Sequence, residues 1–143
     1  MTDVFIFLLY TVVDKEVFFM KIIYSENAPA AIGPYSQAIK TGNLLFISGQ
    51  IGFIPSTGKL AGNSVDEQAE QICANIKAVL KEAGLSMSDV VKTTCFLTDM
   101  GEFKKFNAVY AKHFISKPAR SCIGVTALPS GAVCEIEVIA EFK

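Results

Sequence analysis

Apolar and polar positions recur with two different periods along the chain, and from Met20 onward their order predicts strand, strand, strand, helix, strand, helix, strand, strand. Lys21–Tyr24 reads as a short leading strand. Ser36–Lys40 and Leu44–Ser48 alternate as strands and flank Thr41-Gly42-Asn43, where glycine and asparagine tolerate the positive φ of a tight hairpin. Ser64 and Glu67 have capping-box spacing, and Val65, Ala69, Ile72, Ile76, Val79, Leu80 and Ala83 then recur at helical intervals until Gly84. Val90–Thr98 is β-branched and apolar; strict alternation sends Thr94, Phe96 and Thr98 to one side and Val91, Thr93, Cys95 and Leu97 to the other. Asp99 and Glu102 predict the start of a second helix with the stripe Phe103, Phe106, Tyr110 and Phe114, closed by Lys117-Pro118. Arg120–Thr126 and Val133–Phe142 read as two strands joined as a hairpin by residues 127–132, which include Pro129 and Gly131.

Two helices cover one face of such a sheet, yet the strand Val90–Thr98 carries apolar residues on both sides. The second face therefore needs another cover, and an identical neighbour is the economical source. Composition strengthens this expectation. With 51% hydrophobic and 19% charged residues in 143, one core-rich domain fills and apolar surface is left over. Thirteen basic and fourteen acidic side chains give a net charge of −1, which disfavours a nucleic-acid partner because no basic field grips the phosphates.

The four cysteines, at 73, 95, 122 and 134, show no C-x-x-C spacing, so reduced thiols in a cytoplasmic protein are expected rather than a disulfide framework or zinc site. His113 is the single histidine and follows Tyr110 on a predicted helix, where a packed ring is the plainer expectation than a catalytic base. No metal site is expected. Residues 1–19 form an apolar extension ahead of a domain spanning 20–143. The run Val4–Val13 follows Asp3 instead of a basic segment, and at ten residues it is about half a membrane span, so neither a secretory leader nor a membrane anchor is expected. Met20 offers a second start, and the extension is expected to be dispensable for chemistry.

Polar residues that interrupt apolar patterns mark the candidate chemistry. Arg120 heads a strand face shared with Cys122, Gly124 and Thr126, just after Pro118. A guanidinium there either grips a ligand carboxylate through two parallel hydrogen bonds or forms an ordinary salt bridge to Glu135, Glu137 or Glu141. Those three acids share a face of the last strand with Val133 and Ile139. In a simple hairpin Arg120 pairs near residue 139, leaving Glu135 roughly 13 Å away, so direct pairing within one chain is not expected. Asn107 interrupts the second helix's apolar stripe and either satisfies a buried group or points into a site. Gly33-Pro34-Tyr35-Ser36-Gln37 delivers a phenol to a strand start, and Ser48-Gly49-Gln50 closes the next strand with a glycine that permits close approach. The glycines form no phosphate-binding motif.

Taken together, Ala30-Ala31-Ile32-Gly33-Pro34-Tyr35-Ser36-Gln37-Ala38, Ile47-Ser48-Gly49-Gln50-Ile51-Gly52, Val91-Lys92-Thr93-Thr94, Pro118-Ala119-Arg120-Ser121-Cys122, Leu128-Pro129 and Glu135-Ile136-Glu137 closely resemble the Rid (YjgF-type) reactive-intermediate deaminases, in order from about Met20 to the end. The resemblance implies an α+β, chorismate-mutase-like fold: a mixed sheet with two helices on one face, in a homotrimer with clefts between subunits. It implies hydrolysis of 2-iminobutanoate or 2-iminopropanoate, released by pyridoxal-phosphate-dependent dehydratases, to a 2-oxo acid and ammonia without metal or organic cofactor. Arg120 matches the carboxylate-binding arginine, helped by the backbone N–H of Cys122; Glu135 matches the acid beside an ordered water. Tyr35, Ser48, Gly49 and Asn107 match cleft-lining positions, and Phe103 the apolar wall. Two chains would contribute to each cleft. The connection from Tyr110 to Pro118 is shorter than in many relatives, which affects the cleft rim. Relatives described as ribonucleases or translation inhibitors, and a 2-oxo-acid-binding module of the same fold, are the rival functions; Cys122 as covalent nucleophile is the rival site chemistry.

Overall fold

The computed structural model describes residues 20–143; the extension 1–19 lies outside the described residues. One six-stranded mixed sheet, in the spatial order β1-β2-β3-β8-β6-β7, carries two helices. Its strands are β1 (Lys21–Ile23), β2 (Ala38–Thr41), β3 (Leu44–Gln50), β6 (Val90–Leu97), β7 (Ala119–Gly124) and β8 (Cys134–Glu141). The helices are α1 (Val65–Glu82) and α2 (Phe103–His113), and a separate two-stranded ribbon pairs β4 (Phe53–Ile54) with β5 (Lys59–Leu60).

The first half of the predicted order holds closely. Thr41 pairs with Leu44 across Gly42-Asn43, and Gly42 alone takes the positive φ, at 57°. The Ser64–Glu67 capping box is formed in both directions. At the other end of α1 the Gly84 N–H donates to the Lys81 carbonyl and the Leu85 N–H to the Leu80 carbonyl, a Schellman closure with Gly84 left-handed at φ 79°. Val65, Ala69, Ile72, Ile76, Val79 and Leu80 are all buried. Phe106, Tyr110 and Phe114 are buried along α2, and a 2.7 Å bond between the hydroxyls of Thr93 and Tyr110 fixes that helix to the sheet face bearing Thr93.

Three expectations are corrected. The last two strands are not a hairpin: β6 lies between them, parallel to β7 and antiparallel to β8. The predicted second helix supplies the crossover that a parallel β6–α2–β7 unit requires, so residues 127–132 span one strand rather than turning a tight corner. Strict alternation in β6 also fails at its start. Val90 pairs with Ala140 and Lys92 with Ile139, so Val91 is an unpaired bulge, 40% exposed, instead of a member of the buried row. Finally, Asp99 does not cap α2 directly. Its carboxylate accepts the Gly101 N–H at 2.8 Å to cap a 3-10 turn, Met100–Glu102, and α2 begins after it at Phe103. The ribbon β4–β5 is an addition; the Asn75 amide donates to the Phe53 carbonyl at 2.9 Å and holds it against α1.

Leu45, Ile47, Cys95, Leu97, Ile136, Val138 and Ala140 form the sheet's contribution to the core under the helices. On the opposite face Phe46 is 41% and Ile123 48% exposed, as the apolar surplus predicts. Cys73, Cys95 and Cys134 are buried free thiols, and His113 is packed between helices, its Nε2 2.6 Å from Glu70 and its Nδ1 3.1 Å from Lys77 Nζ.

Candidate functional site

The candidate residues gather in two separate hollows, one on each face of the sheet. The first lies under the helix side of the edge strand β7. Arg120 pairs with Thr93 across the parallel ladder, which turns its side chain toward α2. There Nη1 donates to Asn107 Oδ1 at 2.7 Å, and the guanidinium carbon lies 4.6 Å from the Tyr110 ring centre and 5.6 Å from that of Phe103. Aromatic faces stabilise a guanidinium and leave its edge free for planar partners. Among the described residues Arg120 makes no ion pair with any of the three glutamates, so the ordinary salt bridge is not formed. It borders a hollow of about 560 Å³ with Asn107, Tyr110, Ile115, Lys117 and Pro118. Lys117 takes a left-handed backbone, φ 52°, to bring the chain from α2 into β7.

Cys122 shares the Arg120 face two residues on. Burial pushes its thiol up, with Arg120 opposing the shift, so the thiol stays protonated near neutral pH. Its main chain faces another way. The Val125 N–H donates to the Leu97 carbonyl, and counting back by twos turns the N–H of Cys122 away from β6, onto the open edge of the sheet.

The second hollow, about 380 Å³, is lined by Ile32, Tyr35, Ser48, Gly49, Phe53 and Glu135 among others. Glu135, on β8, pairs with Phe96 of β6 and faces away from the helices. It finds neither a cation nor a hydrogen-bond partner among the described residues, and partial burial first, then the neighbouring Glu137 charge, raises its pKa above the ordinary 4.5. Gly49 is where β3 passes closest: a Cβ there would overlap Glu135 Oε1 and lie 2.9 Å from its Cδ. Ser48 Oγ donates to the Ser36 carbonyl at 2.6 Å, tying the strand to the segment that presents Tyr35.

The two groups do not meet within a chain. Arg120 aligns with Val138 through Thr93, three residues from Glu135 and two strands away, giving a Cα separation of about 14 Å with the side chains on opposite faces. Phe103, Asn107, Arg120 and Cys122 thus form one constellation, and Tyr35, Ser48, Gly49 and Glu135 the other. Sequence reasoning missed Phe53, which the β4–β5 ribbon brings to the second hollow; the turn signal Pro55-Ser56-Thr57-Gly58 between Ile54 and Lys59 marks it. It also missed that Asn107 and Arg120 are direct partners.

A mixed sheet in this order, backed by two helices, defines an α+β protein of the YjgF fold. The sequence model for the family described as Endoribonuclease L-PSP matches residues 25–142. A RutC family protein of Pyrococcus horikoshii is 51% identical over 121 residues, covering 84% of this chain and 96% of that one. Reactive Intermediate Deaminase A, chloroplastic, of Arabidopsis thaliana is 51% identical over 121 residues, covering 84% of this chain and 65% of that one. The crystal structure of a Rid-family protein of unknown function from Yersinia pestis superposes with a TM-score of 0.84 at 46% identity, covering 86% of this chain and 99% of that one. The chain belongs to the Rid (YjgF) family. Among the described residues no helix is long and apolar enough to cross a membrane.

Proposed function

We propose that the protein is a hydrolytic deaminase of small 2-imino acids, 2-iminobutanoate and 2-iminopropanoate, acting as a homotrimer whose clefts join the Arg120 constellation of one subunit to the Glu135 constellation of the next. The observation that carries the reading is Arg120 itself: a guanidinium oriented by Asn107, stacked on Tyr110, bordering a hollow, and without a carboxylate partner among the described residues. A cation arranged in this way is suited to a planar anion from outside the chain. The trimer is supported by the uncovered apolar sheet face and the open edge of β7, and it removes the separation of the two constellations.

In this reading the substrate carboxylate binds the free edge of Arg120 and the Cys122 N–H. Water attacks the C=N carbon as one of its protons passes by way of Glu135 to the imine nitrogen, giving a carbinolamine. The carbinolamine hydroxyl proton then moves through the same carboxylate to the amino group, the C–N bond breaks as the C=O bond forms, and 2-oxo acid and ammonia leave. The raised pKa suits Glu135 to accepting that proton. Tyr35, Ser48, Gly49 and Phe103 form the walls. The imine is already electrophilic, so holding one anion and one water in register supplies most of the acceleration. The substrate would come from pyridoxal-phosphate-dependent dehydratases, and a cytoplasmic setting follows from that partnership. Cys122 is left as a main-chain donor because its protonated thiol is a poor nucleophile.

The test couples a threonine dehydratase to 2-oxobutanoate formation where spontaneous imine hydrolysis limits the rate. Acceleration by the protein, lost on replacing Arg120, is the expected result; saturable 2-oxo-acid binding without acceleration makes it a binding module instead. The description of the matching family as an endoribonuclease makes RNA cleavage the second reading, and cleavage by nuclease-free protein that survives loss of Arg120 would favour it.

A further inference from the structure

The segment from Tyr24 to Tyr35 forms one wall of the Glu135 hollow without regular secondary structure. Its own hydrogen bonds are local: Asn27 N–H to Ser25 Oγ at 3.2 Å, Ala28 N–H to the Ser25 carbonyl at 3.4 Å, and Tyr35 N–H to the Gly33 carbonyl at 2.9 Å. Its far end is tied to β3 by the Ser48 bond to the Ser36 carbonyl, and among the described residues the hydrogen bonds that join its first half, Ser25 to Pro29, to the sheet all come from one side chain. Gln37, 3% exposed and next to the start of β2, accepts the Ser25 N–H on Oε1 at 2.7 Å. Its Nε2 donates to the carbonyls of Ser25 at 3.1 Å, Pro29 at 2.8 Å and Ala28 at 3.4 Å. A backbone carbonyl of the same residue accepts the Ser48 N–H at 3.0 Å. A buried amide with both ends occupied fixes its partners far more firmly than an exposed one, because each bond given up leaves a group without water to replace it.

We infer that Gln37 is a positioning residue for the cleft: its amide clamps the turn from Ser25 to Pro29, and through that turn holds the Ala30–Tyr35 wall at a fixed distance from Ser48 and Glu135. The inference rests on the deaminase reading for its kinetic half only. Loss of the clamp leaves the Arg120 constellation untouched, because that lies on the other face of the sheet. The wall that closes over the substrate loosens, so apparent substrate binding weakens more than the chemical step.

The experiment compares the full-length wild type with Gln37→Met, which keeps the length and the main-chain bond to Ser48 but loses every side-chain bond, and Gln37→Glu, which keeps an acceptor for the Ser25 N–H and replaces the donor by a charge facing three carbonyls. Amide hydrogen exchange is followed together with the dehydratase-coupled assay. In both variants, exchange in residues 25–35 is expected to rise at least about tenfold while β6 and β8 amides keep their protection, and kcat/KM to fall about tenfold, mostly through KM. Exchange that rises equally across the sheet would reduce Gln37 to a general stability residue, and unchanged loop exchange would remove the clamp. Faster loop exchange with kcat/KM within about twofold of wild type would overturn its role in the cleft. If the wild type itself accelerates no imine hydrolysis, the deaminase reading falls while the exchange data still decide whether Gln37 holds the wall.

Discussion

Replacing Gly49 by alanine tests whether the place of Glu135 matters, because the perturbation acts on that carboxylate and little else. The three atoms nearest an added Cβ all belong to the Glu135 side chain: Oε1 would overlap it, Cδ would lie at 2.9 Å and Cγ at 3.3 Å. Ordinary carbon contacts begin near 3.5 Å, so Cδ must retreat by about 0.6 Å and the oxygen by about 1 Å or more. Only the far end of a flexible chain blocks the methyl, so the strand need not move. A glutamate rotamer pushed off its well costs about 0.5–1.5 kcal/mol, partly offset because alanine gives up less backbone entropy than glycine. Thermal stability should therefore change by only a few degrees. Activity should change far more, since misplacing a reacting group by about 1 Å costs on the order of a hundredfold in rate. The coupled assay measures kcat for Gly49→Ala, Glu135→Ala and the double variant. If the glycine acts through the acid, the double variant is no slower than Glu135→Ala alone, the non-additivity expected of contacting residues. A Gly49→Ala protein that keeps more than about a third of wild-type kcat would refute the idea that Glu135 works from the place it occupies.

The remaining predictions concern charge, protonation and assembly. Arg120→Lys keeps the cation but loses the planar fork and its 2.7 Å bond to Asn107, so kcat/KM should fall roughly 10- to 150-fold, the equivalent of about 1.5–3 kcal/mol, with the sedimentation profile unchanged. Near-normal turnover would remove the carboxylate clamp. For Glu135, burial raises the folded-state pKa above 4.5, so its favourable contribution is complete below that value and is lost as pH rises through the raised one. Relative to wild type, Glu135→Gln should gain Tm as pH climbs from about 4 to about 8, and a wild type that gains on the variant instead would contradict the desolvation argument. Phe46→Glu, on the uncovered sheet face, should convert a trimer to smaller species in analytical ultracentrifugation and abolish turnover together with assembly. A monomeric wild type would end the shared-cleft reading.

How much of this was legible in the sequence depends on how local each signal is. The α1 capping box, the Gly42 hairpin and the Gly84 stop each involve residues within a few positions of one another, and each formed as read. The placing of β6 between β7 and β8 is not local. A proline- and glycine-bearing connection of six residues fits a hairpin and a jump over one strand equally well, and only the pairing of β6 with both neighbours decides. The bulge at Val91 is invisible for a related reason: a valine in a β-branched run carries no mark that its partner strand supplies one residue fewer.

The candidate site divides along the same line. Arg120, Asn107 and Glu135 stood out as polar residues in apolar rows, but pattern alone could not say that Arg120 leans on Asn107 and Tyr110, because the parallel β6–α2–β7 crossover brings those elements together. The same crossover turns Arg120 toward the helices while the alternation along β8 turns Glu135 away, so one chain presents its cation and its acid on opposite faces. No adjustment of side chains unites them: moving Glu135 to the helix face needs a one-residue slip of β8 that would also expose Ile136 and Val138, and moving Arg120 needs a slip of β7 that would also turn the exposed Ile123 inward. Chemistry that uses both groups must therefore be assembled between molecules, and the apolar face that a single chain leaves bare supplies the attraction to do it.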